Sequence, residues 1–565
     1  MLIFSQTSKA RCAIMCRGRH KVALMRQQKL HSQFTVARFL ERKTFSEWRS
    51  NMVQVKNLTI RHRKDNRVLL EDFSMALNPG DKAAIIGEEG NGKSTLLKLI
   101  YDETLVDDYI DYSGEIIRNN ARIAHLAQEL TEAERRMSAY EFMYEMPSFF
   151  DLSPKDMALV AAQLQIPQEL FYAEQELGKF SGGEKIKLQL ARILLSRPDV
   201  LFLDEPSNDL DLATVRWLEK FIADSKLPVL YISHDEVLLE NTANKIIHLE
   251  QIKRKTESRA TVLKSNYRDY VENRQRGLEY QEQQAKNERS EYEKQQEKFR
   301  RIQQKVENHQ NAVSRQNPHG GRLLKKSMHR IKAYEARFEK EFENMTEMPE
   351  TEDAIFVKFG EKAYLPSGKV VLNYELPQLT IGERVLAENV SLLIRGPEKV
   401  CIIGKNGCGK TTLLRKIAED LQQRADIKVS YMPQNYEELL DMVRTPVEFL
   451  AVTYDKDETS RNRTYLGSMK YTADEMSHRI GDLSGGQKAK LLLLKMSMEG
   501  SNVLILDEPT RNFSPLSNPV IRQILRNVQG AILTVSHDRK YIAEVADTVY
   551  ELTERGLVLQ KNSLV

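Results

Sequence analysis

Cysteine and long apolar runs are what this chain has least of. Its four cysteines are Cys12, Cys16, Cys401 and Cys408, and the first two have no partner pair at zinc-ligand spacing. A disulfide framework or a cluster site is thereby excluded as an organising device, and a reducing compartment, the cytoplasm, is the expected setting. Cys408 stands where a helix should begin, a position that can lower a thiol pKa; the plainer reading is a small residue filling a tight loop. No apolar run approaches the roughly 18 residues needed to span a bilayer, so the sequence carries no membrane pore of its own.

Charge is plentiful but unevenly placed. The net +4 hides a leader, residues 1–51, with eleven Lys/Arg and only Glu41 and Glu47 against them, so the remainder is acidic. That leader lacks periodicity and precedes Met52–Leu58, which reads as a first strand. It is expected to be translated upstream sequence, a disordered basic arm or an Arg-rich presequence, and to stand apart from the fold. At 565 residues the rest suits two or three domains.

What fills those domains is a duplication. Ser181-Gly182-Gly183-Glu184 and Ser484-Gly485-Gly486-Gln487 lie 303 positions apart, as do Asp204-Glu205-Pro206 and Asp507-Glu508-Pro509, and His234 and His537. The runs 83–86, 200–203 and 229–232 are short and continuously apolar, as buried parallel strands are, and their counterparts are 400–403, 503–506 and 531–535. The expected fold is α/β: two phosphate-loop domains in tandem, 52–255 and 349–560, with a short tail at 561–565. From loop lysine to glutamine the copies differ, 35 positions from Lys93 to Gln128 against 24 from Lys410 to Gln434. The extra residues fall near 102–111 and read as an acidic surface loop.

Residues 256–348 are different in kind. Val271, Leu278, Ala285, Tyr292, Phe299, Val306 and Val313 recur every seven residues. After Pro318-His319-Gly320-Gly321 a second series follows at spacings of four and three: Leu324, Met328, Ile331, Glu335, Phe338, Phe342 and Met345. The pattern predicts an antiparallel helical hairpin. Its tip, 309–332, carries Arg315, Arg322, Lys325, Lys326, Arg330 and Lys332 and no acid. Such runs usually mark a solvated face; clustered at the end of a projecting hairpin, this one fits a polyanion.

The duplicated unit handles phosphate. Gly87-Glu88-Glu89-Gly90-Asn91-Gly92-Lys93-Ser94, followed by Thr95, and Gly404-Lys405-Asn406-Gly407-Cys408-Gly409-Lys410-Thr411, followed by Thr412, both fit a phosphate loop. Glycines let backbone N–H groups wrap the phosphates at a helix start, the lysine adds a point charge, and the Ser or Thr hydroxyl suits Mg²⁺. Each apolar strand ending in Asp204-Glu205 or Asp507-Glu508 offers one carboxylate for the cation and one as general base toward water.

On these residues the chain resembles the ATP-binding-cassette ATPases. Ser-Gly-Gly-Glu/Gln looks like the cassette signature, Gln128 and Gln434 like the Q-loop glutamines that reach nucleotide and metal, and His234 and His537 like the switch histidines. The resemblance implies cofactors ATP and Mg²⁺, a head-to-tail pairing and two composite sites. One joins Lys93, Ser94, Gln128, Asp204, Glu205 and His234 to Ser484–Gln487; the other joins Lys410, Thr411, Gln434, Asp507, Glu508 and His537 to Ser181–Glu184. Each signature would contribute backbone N–H groups and a Ser hydroxyl to the terminal phosphate.

Two cassettes joined by a charged hairpin resemble, more narrowly, the ABC-F family of translation factors, with the antibiotic-resistance, ribosomal-protection type favoured by the missing inserted arm and the sizeable tip. That resemblance implies a monomer acting at the ribosomal exit-tRNA site, its linker reaching toward P-site tRNA and the peptidyl-transferase centre, with ribosomal RNA and tRNA phosphates as partners of the tip. A housekeeping factor relieving stalled ribosomes, or the ATPase subunit of a membrane transporter, are the alternatives. Two departures stand out. The second copy reads Thr510-Arg511-Asn512-Phe513-Ser514-Pro515-Leu516 where the first reads Ser207-Asn208-Asp209-Leu210-Asp211, losing the terminal Asp of the family pattern. That loop should face the site built on Lys93. No clear adenine-stacking aromatic is present either; His62 and Tyr374 are the candidates.

Overall fold

In the computed structural model, residues 53–146, 149–253, 255–312, 364–453 and 455–560 are described, with 329, 331–334, 337–338, 340, 342, 345–349 and 359–360 between them. The leader, the tip residues Arg315, Arg322, Lys325, Lys326 and Arg330, the Pro-His-Gly-Gly turn and the tail 561–565 lie outside the described residues. Two units divide the chain: one takes in residues up to Tyr267 and from Glu352 onward, the other Arg268–Thr351.

The first unit contains two six-stranded sheets with the same topology. In the first copy the order is Ile123–Leu126, Val200–Asp204, Val229–Ile232, Lys82–Ile86, Lys245–Ile252 and Glu257–Leu263. In the second it is Val429–Met432, Val503–Asp507, Ala531–Val535, Lys399–Ile403, Thr548–Thr553 and Gly556–Gln560. Five strands of each run parallel and the sixth is antiparallel. Val200–Asp204 and Val503–Asp507 are buried at every position, the signature of strands covered on both faces. Helices close those faces, and the ligand-bearing loops leave from the carboxyl ends of the strands, where open α/β sheets bind their ligands.

Two sequence expectations need correction. The first cassette does not stop at 255: Glu257–Leu263 pairs with Lys245–Ile252 through seven residue pairs and forms the half-exposed edge of the sheet. The extra residues near 102–111 are not merely a loop. They lead into Ile110–Ile117, which pairs antiparallel with Val53–His62 and adds a third strand to a sheet that in the second copy has, among the described residues, Val370–Ile381 and Arg384–Arg395.

From its second residue onward, the 46-residue helix Tyr267–Ala312 belongs to the second unit. Val271, Leu278, Ala285, Tyr292 and Phe299 are its shielded heptad positions, with Ala285 fully buried. The returning segment runs antiparallel: Gln281 donates to the Glu347 carbonyl, Glu288 accepts from Thr346, and Tyr292 and Phe299 both meet the Phe338 ring. Lys332, the one tip cation among the described residues, is exposed.

Candidate functional site

Each phosphate loop joins a buried strand to a helix, Lys82–Ile86 to Lys93–Tyr101 and Lys399–Ile403 to Lys410–Gln422. Gly92 and Gly409 cap those helices with φ of 85° and 101°, values glycine adopts without strain. Lys93 Nζ donates to the Gly87 and Glu88 carbonyls, both at 2.9 Å, and Lys410 Nζ to those of Gly404 and Lys405 at 2.8 and 2.9 Å. Both ammonium groups are thus held inside their loops. Cys408 fills its loop as a partly buried thiol whose pKa burial raises, so it is no activated nucleophile.

The paired carboxylates sit where the motif places them. Ser94 Oγ donates to Asp204 Oδ1 at 3.0 Å and Thr411 bonds Asp507 likewise, while Asp204 Oδ2 and Asp507 Oδ2 are buried without a partner. A hydroxyl beside a carboxylate with one buried oxygen left over fits a hard divalent cation that keeps water and phosphate ligands. Burial raises both aspartates, Asp204 to about 6. Glu205 and Glu508 both occupy the left-handed backbone region, φ 47° and 52°, a strain of about 1–3 kcal/mol each. Each is fixed by its own N–H on the neighbouring strand, to Ile232 O at 3.1 Å and to Val535 O at 2.9 Å.

The two glutamates then part company. Glu205 meets His234 Nε2 at 3.2 Å, Gln128 Nε2 at 3.2 Å and the Asn208 amide. Burial works to raise it, but His234, Lys93 and Asn208 outweigh that and bring it down to about 2. Glu508 lies 3.8 Å from His537 Nε2 and accepts from the His537 backbone N–H at 3.3 Å. Burial and the charge of Asp507 push it up to about 8. His537 is pushed down to about 4 by burial and by Lys410, and its Nδ1 is buried and unpartnered. His234 Nδ1, in contrast, donates to the Phe513 carbonyl of the other copy at 2.7 Å.

The copies meet head to tail. A cavity of about 520 Å³ is lined by Lys410, Thr411, Thr412, Gln434, Asp507, Glu508 and His537 from one side and by Gly182, Asn208 and Asp209 from the other. The Asn406 amide donates to Asp209 O across it, and Gln434 reaches Asp209 Oδ1 at 3.5 Å. Ser181 and Ser484 cap the helices Gly182–Leu195 and Gly485–Glu499 in matching capping boxes with Glu184 and Gln487. At the other interface Gly486 N–H donates to Glu89, and Ser514 Oγ donates to Glu88 at 2.9 Å. The 510–517 loop therefore does face the phosphate loop of Lys93.

Tyr374 is not at this site. It pairs with Leu392 on the neighbouring strand Arg384–Arg395, with the acids Asp420 and Glu419, after burial, raising its phenol. Ile381, at the end of the same strand, lines the cavity instead; a lone exposed isoleucine carries no sequence signal. His62 ends the matching strand of the first copy and bonds Asp65 at 2.8 Å.

An ionic seam that no motif announces joins the copies. Arg522 pairs with Glu236, Arg539 with Glu219 at 2.7 Å, and Lys540 with Glu240 at 2.7 Å. Glu219 and Arg522 are equivalent positions at the 303-residue offset, and so are Glu236 and Arg539. The two pairs are one contact seen from both sides of a pseudo-twofold axis, with acid in the first copy and base in the second each time. Two first copies would set Glu219 against Glu236, and two second copies Arg522 against Arg539, so the seam accepts only the unlike pairing.

Two phosphate loops, each completed by the signature helix of the opposite half, define a tandem ATP-binding-cassette ATP hydrolase. Residues 70–208 and 387–511 match the family described as ABC transporter, although among the described residues no helix is long and apolar enough to cross a membrane. ABC transporter F family member 5 of Arabidopsis thaliana is 26% identical over 551 residues, 88% of this chain and 75% of that protein. The ribosome protection protein VmlR of Bacillus subtilis (strain 168) is 29% identical over 536 residues, 91% of this chain and 89% of that one. The archaeal ribosome recycling factor aABCE1, solved with a ribosomal stalk protein, has the same fold at a TM-score of 0.54 and 17% identity, covering 89% of each chain. The chain is thus similar over nearly its full length to an ABC transporter F family member and to a ribosome protection protein.

Arg522 is 2% exposed, so removing it strands buried acids. Arg522→Ala is expected to lower stability in urea unfolding by about 3–5 kcal/mol. Lys56→Ala, which loses the exposed 3.3 Å pair with Glu115, should cost less than about 1 kcal/mol. Equal losses would show that the seam contributes no more than a surface pair.

Proposed function

We propose that this protein is a ribosome-bound ATPase that acts at the exit-tRNA site, its helical linker reaching toward P-site tRNA and the peptidyl-transferase centre to displace ribosome-targeting antibiotics. The observation that carries this reading is the near full-length similarity to a ribosome protection protein, 91% of this chain against 89% of that one. The hairpin between the cassettes gives the reading a working part, and six tip cations without an acid give that part a polyanionic partner. The protein works as a monomer in the cytoplasm, its halves paired within one chain by the seam.

In this proposal Mg²⁺ is held by Ser94 and Asp204 in one site and Thr411 and Asp507 in the other, with Gln128 and Gln434 beside them; bound there, it would neutralise phosphate charge. Glu508, which accepts a hydrogen bond from the His537 backbone N–H, is better placed to take a proton from water than Glu205, whose carboxylate is already engaged by His234, Gln128 and Asn208. In this reading hydrolysis at the Lys410 site drives opening.

Three outcomes are expected. Phosphate release should fall about 10²-fold or more in Glu508→Gln and clearly less in Glu205→Gln; the reverse order would overturn the assignment of Glu508 as the better-placed base. The double variant should co-sediment with ribosomes through a sucrose gradient when ATP is present, and its staying at the top of the gradient would refute ribosome binding. Expression in a sensitive bacterium should raise the inhibitory concentration of a lincosamide, pleuromutilin or streptogramin A. If ribosome binding holds and none of the three changes, the chain is a housekeeping translation factor.

A further inference from the structure

The two phosphate loops differ most where they touch the opposite half. Aligned on their lysines, Glu88-Glu89 stands in the first where Lys405-Asn406 stands in the second, a change from +1 to −2. Both acids are engaged. Glu89 accepts a hydrogen bond from Gly486 N–H, in the first turn of the 15-residue helix Gly485–Glu499. A Cβ at Gly485 would meet the Glu89 oxygens at 3.1 and 3.3 Å, so the carboxylate nestles against the bare backbone of the signature. Glu88 accepts from Ser514 Oγ at 2.9 Å and from Ser517 Oγ, and lies 3.5 Å from Lys490 Nζ. Burial opposes its ionisation, yet Lys490, the two hydroxyls and Lys93 hold it below the usual carboxylate range.

The facing loop has changed in step. Ser514 stands where the first copy has Asp211. An aspartate there would confront the Glu88 carboxylate, whereas serine donates to it. The departure of 510–516 from the family pattern is thus one half of a contact whose other half is Glu88. At the second interface the corresponding reach is made by a neutral amide, Asn406 on Asp209 O.

We infer that the first composite site selects a nucleoside diphosphate over a nucleoside triphosphate, Glu89 taking the signature N–H donor that a terminal phosphate takes at the second site. A triphosphate would have to break a charge-assisted hydrogen bond. It would also bring further negative charge beside two carboxylates in a poorly solvated interface. A diphosphate needs only Lys93 and the loop N–H groups. The first interface is then held shut by the protein's own acids, and triphosphate-dependent closure is confined to the cavity at Lys410. The inference rests on the ATPase class alone and stands or falls independently of ribosome binding.

The test uses the full chain with Lys410→Ala, leaving the first site as the binding site, and fluorescent mant-ADP and mant-AMPPNP with Mg²⁺ in equilibrium titrations. The expected result is at least tenfold tighter binding of the diphosphate. Lys93→Ala, reporting the second site, should show the opposite preference. Glu89→Gln in the Lys410→Ala background keeps the side chain's shape and removes its charge, and should bring the two affinities within about threefold of each other. In the nucleotide-free protein the Gly486 amide should be protected from hydrogen exchange, with protection lost in Glu89→Gln. A triphosphate preference in Lys410→Ala, or an unchanged preference in Glu89→Gln with Gly486 still protected, would overturn the inference.

Discussion

The charge-exchanged contact at Glu219, Glu236, Arg522 and Arg539 is the constraint on which both sites depend. A cassette site is half a site until the opposite signature helix reaches it, so the geometry of chemistry here is the geometry of an interface. Arg522 is almost wholly removed from water and is matched by Glu236 and by Glu544 at 2.8 Å. Buried pairs of this kind add little net stability over apolar substitutes, but they reject wrong partners strongly. Exchanging acid for base at two equivalent positions restricts each half to its sibling.

Once pairing is unlike, the two sites are free to diverge, and they have. The strained left-handed turn at Glu205 and Glu508 is retained in both, as are the aspartates with one unpartnered oxygen. What differs is the surroundings of the second carboxylate. Around Glu205 a histidine, a glutamine and an asparagine converge. Glu508 has a neighbouring aspartate and a histidine kept neutral by burial. The same residue type, on the same backbone bend, is held by three side chains in one half and by a backbone N–H in the other.

Much of this was legible in the sequence because glycine-rich loops, strand-terminal acids and capping serines are local features with fixed spacing. The strands 229–232 and 531–535 end where their apolar runs end. Glu257–Leu263 reads as linker in sequence because a largely exposed edge strand resembles polar connection until its partner is known. The additional strand Ile110–Ile117, exposed over most of its length, is hidden in the same way. Tyr374 was chosen on ring chemistry, whereas position along the strand decides what reaches the cavity, and that favoured Ile381. The ionic seam had no local signal at all. Its residues are ordinary helix-surface charges, and only the contact between copies turns the 303-residue offset into an exchange of sign.

The long helix Tyr267–Ala312 has a geometric consequence. Forty-six residues at 1.5 Å each make a rod of about 69 Å, with Tyr267 and Tyr270 buried in its first turn. A rod of that length is several times longer than it is wide, so its two ends meet separate surroundings, and what one end touches says nothing of what the other end touches.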